Sequence, residues 1–71
     1  MAFICEGKKA WPELVGVSGK IAVKTIEEEN SLVTAIIVPP TQPWIPADFR
    51  CGRVFVFVDD EGNVKRVPTI G

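Results

Sequence analysis

Ala35-Ile36-Ile37-Val38-Pro39-Pro40-Thr41-Gln42-Pro43-Trp44-Ile45-Pro46-Ala47-Asp48-Phe49-Arg50-Cys51-Gly52-Arg53-Val54-Phe55-Val56-Phe57-Val58 decides the fold. Its two ends are the most strand-like runs in the chain. Ala35 to Val38 is continuously apolar, as in a strand buried on both faces. From Arg53 to Val58 the side chains alternate, with Val54, Val56 and Val58 on one face and Arg53, Phe55 and Phe57 on the other. The valines are the better core candidates. The segment between the runs has no helical or strand period. Pro39 and Pro40 end the first strand because neither donates to a ladder. Four prolines and a tryptophan predict a loop held extended rather than left slack. Loops this long are uncommon in small domains and usually carry function.

Outward from this stretch, Gly19 to Asn30 reads as the only helix, with Ser18 as its N-cap. Ala22 and Ile26 lie one turn apart and face the core, with Ile21 or Val23 beside them and Val33 anchoring the exit. Residues 1–10 read as an extended arm. In Trp11-Pro12-Glu13-Leu14-Val15-Gly16, Pro12 favours a turn, while Trp11, Leu14 and Val15 are available for burial. Asp59-Asp60-Glu61-Gly62-Asn63 is a turn, Val64 to Val67 returns as an antiparallel strand, and Pro68 to Gly71 is a tail. The predicted class is α+β, one helix packed on a small mixed sheet. If the strands around the loop run parallel, the loop replaces the helix that such a crossover usually contains.

Composition narrows the function. The 71 residues, 46% hydrophobic and 24% charged, predict one folded domain over residues 1–71, near the size where a core alone rarely suffices. A net charge of -1 with scattered basic residues predicts no nucleic-acid partner. No apolar run reaches membrane-spanning length. The opening Met1-Ala2-Phe3-Ile4-Cys5 is too short for a signal peptide. With no histidine there is no Ser-His-Asp or Cys-His machinery, and two cysteines cannot build a four-thiolate metal site. The run Glu27-Glu28-Glu29 reads as a solvated helix face. The expectation is a monomeric non-enzyme without metal or cofactor.

Cys5 and Cys51 admit two readings, unrelated thiols or a bridge from the arm to the far end of the loop. A bridge would stabilise so small a fold by about 4 kcal/mol in the chain-entropy picture. It would also imply an oxidising compartment, secreted or vacuolar.

A stiff, exposed loop on a rigid scaffold is what a protease-binding segment needs. At this point the residues resemble a family. Trp11-Pro12-Glu13-Leu14-Val15-Gly16, Glu29-Asn30, Ala35-Ile36-Ile37-Val38, Asp48-Phe49-Arg50-Cys51, Arg53-Val54, Val58-Asp59 and Pro68-Thr69-Ile70-Gly71 are similar to the potato inhibitor I family of serine protease inhibitors. The two cysteines resemble its disulfide-containing plant branch, and that resemblance implies a Cys5–Cys51 bridge. It also implies inhibition by a substrate-like loop, with the scissile bond at Ala47–Asp48. The contact residues would be Trp44, Ile45, Pro46, Phe49 and Arg50, with Arg53 supporting the loop from below.

The small side chain of Ala47 implies an elastase-like or subtilisin-like serine endopeptidase as partner. Four departures from the family pattern stand beside this. Pro46 occupies the usual threonine position, Gly52 an aspartate position and Phe55 that of a second supporting arginine. The stretch from Ala35 to Ala47 is also one residue longer than usual. Two alternatives follow: a register shifted toward Trp44, which would suit a chymotrypsin-like enzyme, and a drifted, non-inhibitory binding or structural protein.

Overall fold

A computed structural model describes residues 5–42 and 44–71. Met1 to Ile4 of the expected arm, and Pro43 of the loop, lie outside the described residues. After the arm comes a single 3-10 turn, Pro12–Leu14, with proline at its start, where no N–H is needed. Helix α1 (Gly19–Glu29) follows, then strands β1 (Thr34–Val38), β2 (Arg53–Phe57) and β3 (Thr69–Ile70). The sheet order is β1-β2-β3. β1 and β2 are parallel, with Ala35 opposite Val54 and Ile37 opposite Val56, whereas β2 and β3 are antiparallel. The expected α+β architecture is the one found.

Helix α1 packs on the inner face of the sheet. Trp11, Ala22, Ile26, Val54 and Val56 are fully buried, with Leu14, Val33, Val58 and Val64 around them. Each large apolar side chain here contributes roughly 1.5–3 kcal/mol of burial energy. At 3.6 residues per turn, Ala22 and Val23 lie to either side of the Ile26 direction, and Ile21 points well away. Val23 accordingly packs against the core while Ile21 is exposed. Val15, expected to be available for burial, is exposed as well. Ser18 occupies the N-cap position, but its hydroxyl makes no capping bond. The Gly19 N–H instead donates to Gly62 O at 2.8 Å.

A further expectation is overturned at the chain's end. Val64 to Val67 is not a strand, and the supposed tail is β3. Val64 forms only an isolated bridge with Val58 and exchanges its remaining backbone bonds with residues 16 and 17. Thr69–Ile70 lies between β2 and the arm. The Ile70 N–H donates to Lys9 O, the Gly71 N–H to Arg53 O, and Ala10 bridges Thr69. The buried Pro68 cannot donate, but its carbonyl accepts from the Trp11 N–H at 3.0 Å.

The arm is held by Asn30, the buried residue that caps the end of α1. Its side-chain amide donates to Glu6 O at 3.0 Å and Lys8 O at 3.1 Å, and its Oδ1 accepts from the Leu32 N–H. Gly7 lets the arm pass this close. It sits at φ +81, and a Cβ there would stand 2.7 Å from the Asn30 amide nitrogen. Lys8 pairs with Glu13 and Glu29, and Glu29 also accepts from Trp11 Nε1 at 2.9 Å. The arm, 3-10 turn and helix end thus form one unit under the start of the loop's return.

Candidate functional site

Alternation in β2 determines what lies beneath the long loop. Val54 and Val56 face the helix, so Arg53, Phe55 and Phe57 must face the other way. The loop from 39 to 52 crosses over that outer face and leaves Phe55 9% exposed. A cavity of about 240 Å3 separates the two layers. Ile45 to Phe49 border it from the loop side, and Phe55, Phe57 and Arg66 border it from the scaffold.

Both ends of the loop are tied down. Gln42 N–H donates to Pro39 O at 3.0 Å, closing a turn, and its side-chain amide donates to Trp44 O at 2.8 Å. At the far end Cys51 is joined to Cys5 by a disulfide, Cα to Cα 5.2 Å. Gly52 O accepts from the Thr34 N–H at the head of β1.

Arg53 connects the scaffold to the middle of the loop. Its guanidinium is largely buried and stands over the Phe55 ring at 4.6 Å. Nη2 donates to Asp48 O at 2.6 Å, and Nε donates to Gly71 O at 2.8 Å. One side chain therefore links the loop, β2 and the C-terminal residue. Charge-assisted bonds of this kind are about twice as strong as neutral ones. Asp48 also accepts from Arg50 Nε at 2.8 Å, an exposed pair within the loop. Phe55, at the position of the second expected arginine, offers no donor at all.

The structure exposes most of the expected contact residues along the loop. Trp44 is 68% and Phe49 49% exposed, and Pro46, Ala47, Asp48 and Arg50 are exposed too. Ile45 is half-buried and turns toward the scaffold. Two partners were not read from the sequence. Gly71 is a ligand of Arg53, and Arg66 lies under the N-terminal half of the loop. The residues present build no metal cluster among those described.

The bond from Arg50, joined by the charge of Arg53 and opposed by desolvation, holds the Asp48 carboxyl below its ordinary value. A group depressed in the folded state contributes stability above its unfolded pKa and loses it as pH falls through the folded one. The carboxylate pair of Asp48 with Arg50 is therefore intact at neutral pH and is lost only in acid, as pH falls through the depressed Asp48 pKa. The Arg53 bond to the Asp48 carbonyl does not titrate. In a carboxyl-carbon NMR titration, Asp48 should protonate below an ordinary aspartate, and backbone mobility from Ala47 to Arg50 should rise with it. An Asp48→Asn variant should show neither pH dependence. A midpoint at or above the ordinary value would contradict this geometry.

Comparison with known proteins gives a consistent picture. The model of the potato inhibitor I family matches residues 5–71. A Momordica charantia protein described as a Glu S. griseus protease inhibitor is 51% identical over 67 residues, covering 94% of this chain and 97% of its own. An inhibitor of trypsin and Hageman factor from Cucurbita maxima is 45% identical, with 94% and 97% covered. The crystal structure of bitter gourd trypsin inhibitor superimposes with a TM-score of 0.89 at 48% identity, covering 94% of this chain and 97% of that one.

Proposed function

The chain belongs to the potato inhibitor I family, whose members are protease inhibitors and not enzymes, and we propose that it inhibits a serine protease by offering Ala47–Asp48 as a substrate-like bond. The whole of residues 1–71 is read as one inhibitor domain. The observation that carries the proposal is the hold on Asp48 by Arg53, which acts on the residue just after that bond. A substrate loop that is already ordered loses little entropy on docking, so contact energy appears as affinity. The same hold keeps the leaving end in place after the bond opens, which favours closure over release. Protease–inhibitor pairs of ordinary interface size include some of the tightest complexes known.

Relatives of similar identity are named for different target enzymes, so overall likeness does not choose the target. The residue entering the specificity pocket does. Ala47 brings a methyl group, which fits a small elastase-like pocket and is accepted by a broad subtilisin-like one. It has no charge for a trypsin-like pocket and little surface for a chymotrypsin-like one. Pro46 fixes its own φ near -65° and restricts Ile45 to extended conformations, giving by covalent means some of the order that a hydrogen-bonded threonine would give.

Stoichiometric incubation with pancreatic elastase, subtilisin, trypsin and chymotrypsin tests the proposal. Elastase, subtilisin or both should lose activity while trypsin stays active. Dominant inhibition of chymotrypsin would move the bond toward Trp44. If all four enzymes keep their activity, or the loop is cut rapidly at Ala47–Asp48, the inhibitory reading fails and the drifted-loop alternative replaces it.

A further inference from the structure

The outer face of β2 carries a continuous row of guanidinium and ring groups that extends beyond Arg53. Arg53 stands over Phe55, and the Phe55 and Phe57 rings lie 6.4 Å apart at 53°. The guanidinium carbon of Arg66 then lies 3.5 Å from the Phe57 ring centroid. The turn at 59–63 makes this row possible. It brings the chain back so that the Lys65 N–H donates to Phe57 O at 2.9 Å, which sets Arg66 beside that ring. The row is therefore bounded by two arginines, one at each end of the loop's span. Arg53 acts on Asp48, on the C-terminal side of the candidate bond. Besides the cavity under Ile45 to Phe49, Arg66 and Phe57 border a second cleft whose loop residues, Gln42, Trp44 and Ile45, all lie on the N-terminal side of that bond.

From this we infer that Arg66 is a positioning residue for the N-terminal half of the loop, held over Phe57 and replacing, from another part of the chain, the donor that Phe55 cannot supply. The inference rests on the inhibitory reading given above. Stacking orients the guanidinium without consuming its donors. All five N–H groups lie in its own plane and remain available at its edge. The segment it faces is short of its own N–H donors at Pro46, and apart from Trp44 O, which accepts from Gln42 Nε2, its exposed carbonyls rely on water. A guanidinium held beside them in the cleft offers a fixed donor in place of a mobile one. A lysine would carry the charge but not the planar stack, so charge alone is not equivalent.

The test uses the intact protein with Arg66→Ala, Arg66→Lys and Phe57→Leu. Backbone 15N relaxation in the free inhibitor should show added mobility confined to Trp44–Ala47 in Arg66→Ala and Phe57→Leu. Arg66→Lys should restore order only in part. Turnover of the Ala47–Asp48 bond by subtilisin should rise about two- to fivefold in Arg66→Ala, the range expected for losing one exposed cation–π contact. The urea midpoint should stay near that of the parent, because Arg66 is exposed. Combining Arg66→Ala with Phe57→Leu should loosen the loop no more than either change alone, because the two act as one unit. Unchanged mobility from Trp44 to Ala47, or an equal gain from Asp48 to Arg50, overturns the inference. If the parent inhibits no protease, the relaxation data still judge Arg66 while the inhibitory reading falls separately.

Discussion

Ala47→Arg should turn the protein into a trypsin inhibitor, with a gain in trypsin affinity of about a thousandfold or more, equivalent to roughly 4 kcal/mol. The physical cause is the carboxylate at the base of a trypsin-like pocket, which binds an arginine by a fork-to-fork, charge-assisted pair in a site sealed from water. Contacts at the centre of protein interfaces reach this size when they are fully desolvated. The scaffold should tolerate the change, because Ala47 is exposed. The same substitution should cost most of the affinity for an elastase-like enzyme, whose pocket cannot admit the longer chain. Active-site titration of trypsin and elastase with both proteins checks the two halves together. Absence of any trypsin gain would mean that residue 47 does not enter the pocket, and a parallel Trp44→Arg variant would then locate the residue that does.

What could be read from the sequence follows from which interactions are local. Period-2 alternation from Arg53 to Val58 identified β2 and its inner valines. A helical period placed Ala22 and Ile26 in the core, where both are fully buried. The parallel pairing of β1 and β2 was expected only conditionally, because the loop between them leaves strand direction open, and it is the pairing found. The last strand was illegible because it has two residues and owes its existence to distant partners, Lys9 O and Arg53 O, that no local pattern encodes. Asn30 looked like a helix end and is also the anchor of the arm, again through contacts more than twenty positions away.

The site was legible to different degrees. Its position in the loop was inferred from a motif resemblance, since no periodicity marks a scissile bond. Alternation placed Arg53 on the face of β2 shared with Phe55 and Phe57, but its supporting role came from the family resemblance. Arg66 left a signal that went unused. A turn at 59–63 sets residue 65 opposite 57, and a basic residue next to that position meets the outward ring of Phe57. The loop's inner side shows why Phe55 is tolerated. With an arginine bounding each end of the row, an aromatic in the middle closes the floor over the sheet without leaving a buried charge to satisfy.

Replacing both cysteines by serine, Cys5→Ser with Cys51→Ser, should have the largest effect on stability. The bridge closes a span of 46 positions, and the loop-entropy relation gives about 4 kcal/mol for a ring of that length. In a chain of this size that lowers Tm by on the order of 20 °C. Thermal unfolding followed by circular dichroism measures it, and a loss under about 1 kcal/mol would show that the arm is already held without the bridge. The bridge has a second consequence if the bond at Ala47–Asp48 is cut. Cys5 belongs to the N-terminal piece and Cys51 to the C-terminal piece, so the nicked molecule stays covalently whole. The parallel pairing of β1 with β2 also spans the cut, because one strand lies in each piece. The new ends are then confined at an effective concentration far above any that free pieces could reach, which favours resealing. Nicked parent protein should run as one species without reductant and as two with it. In the double-serine variant the cleaved share at equilibrium with protease should rise severalfold. If stability falls but that share does not move, strand pairing and Arg53 alone keep the leaving end in place, and the disulfide serves the fold rather than the inhibitory cycle.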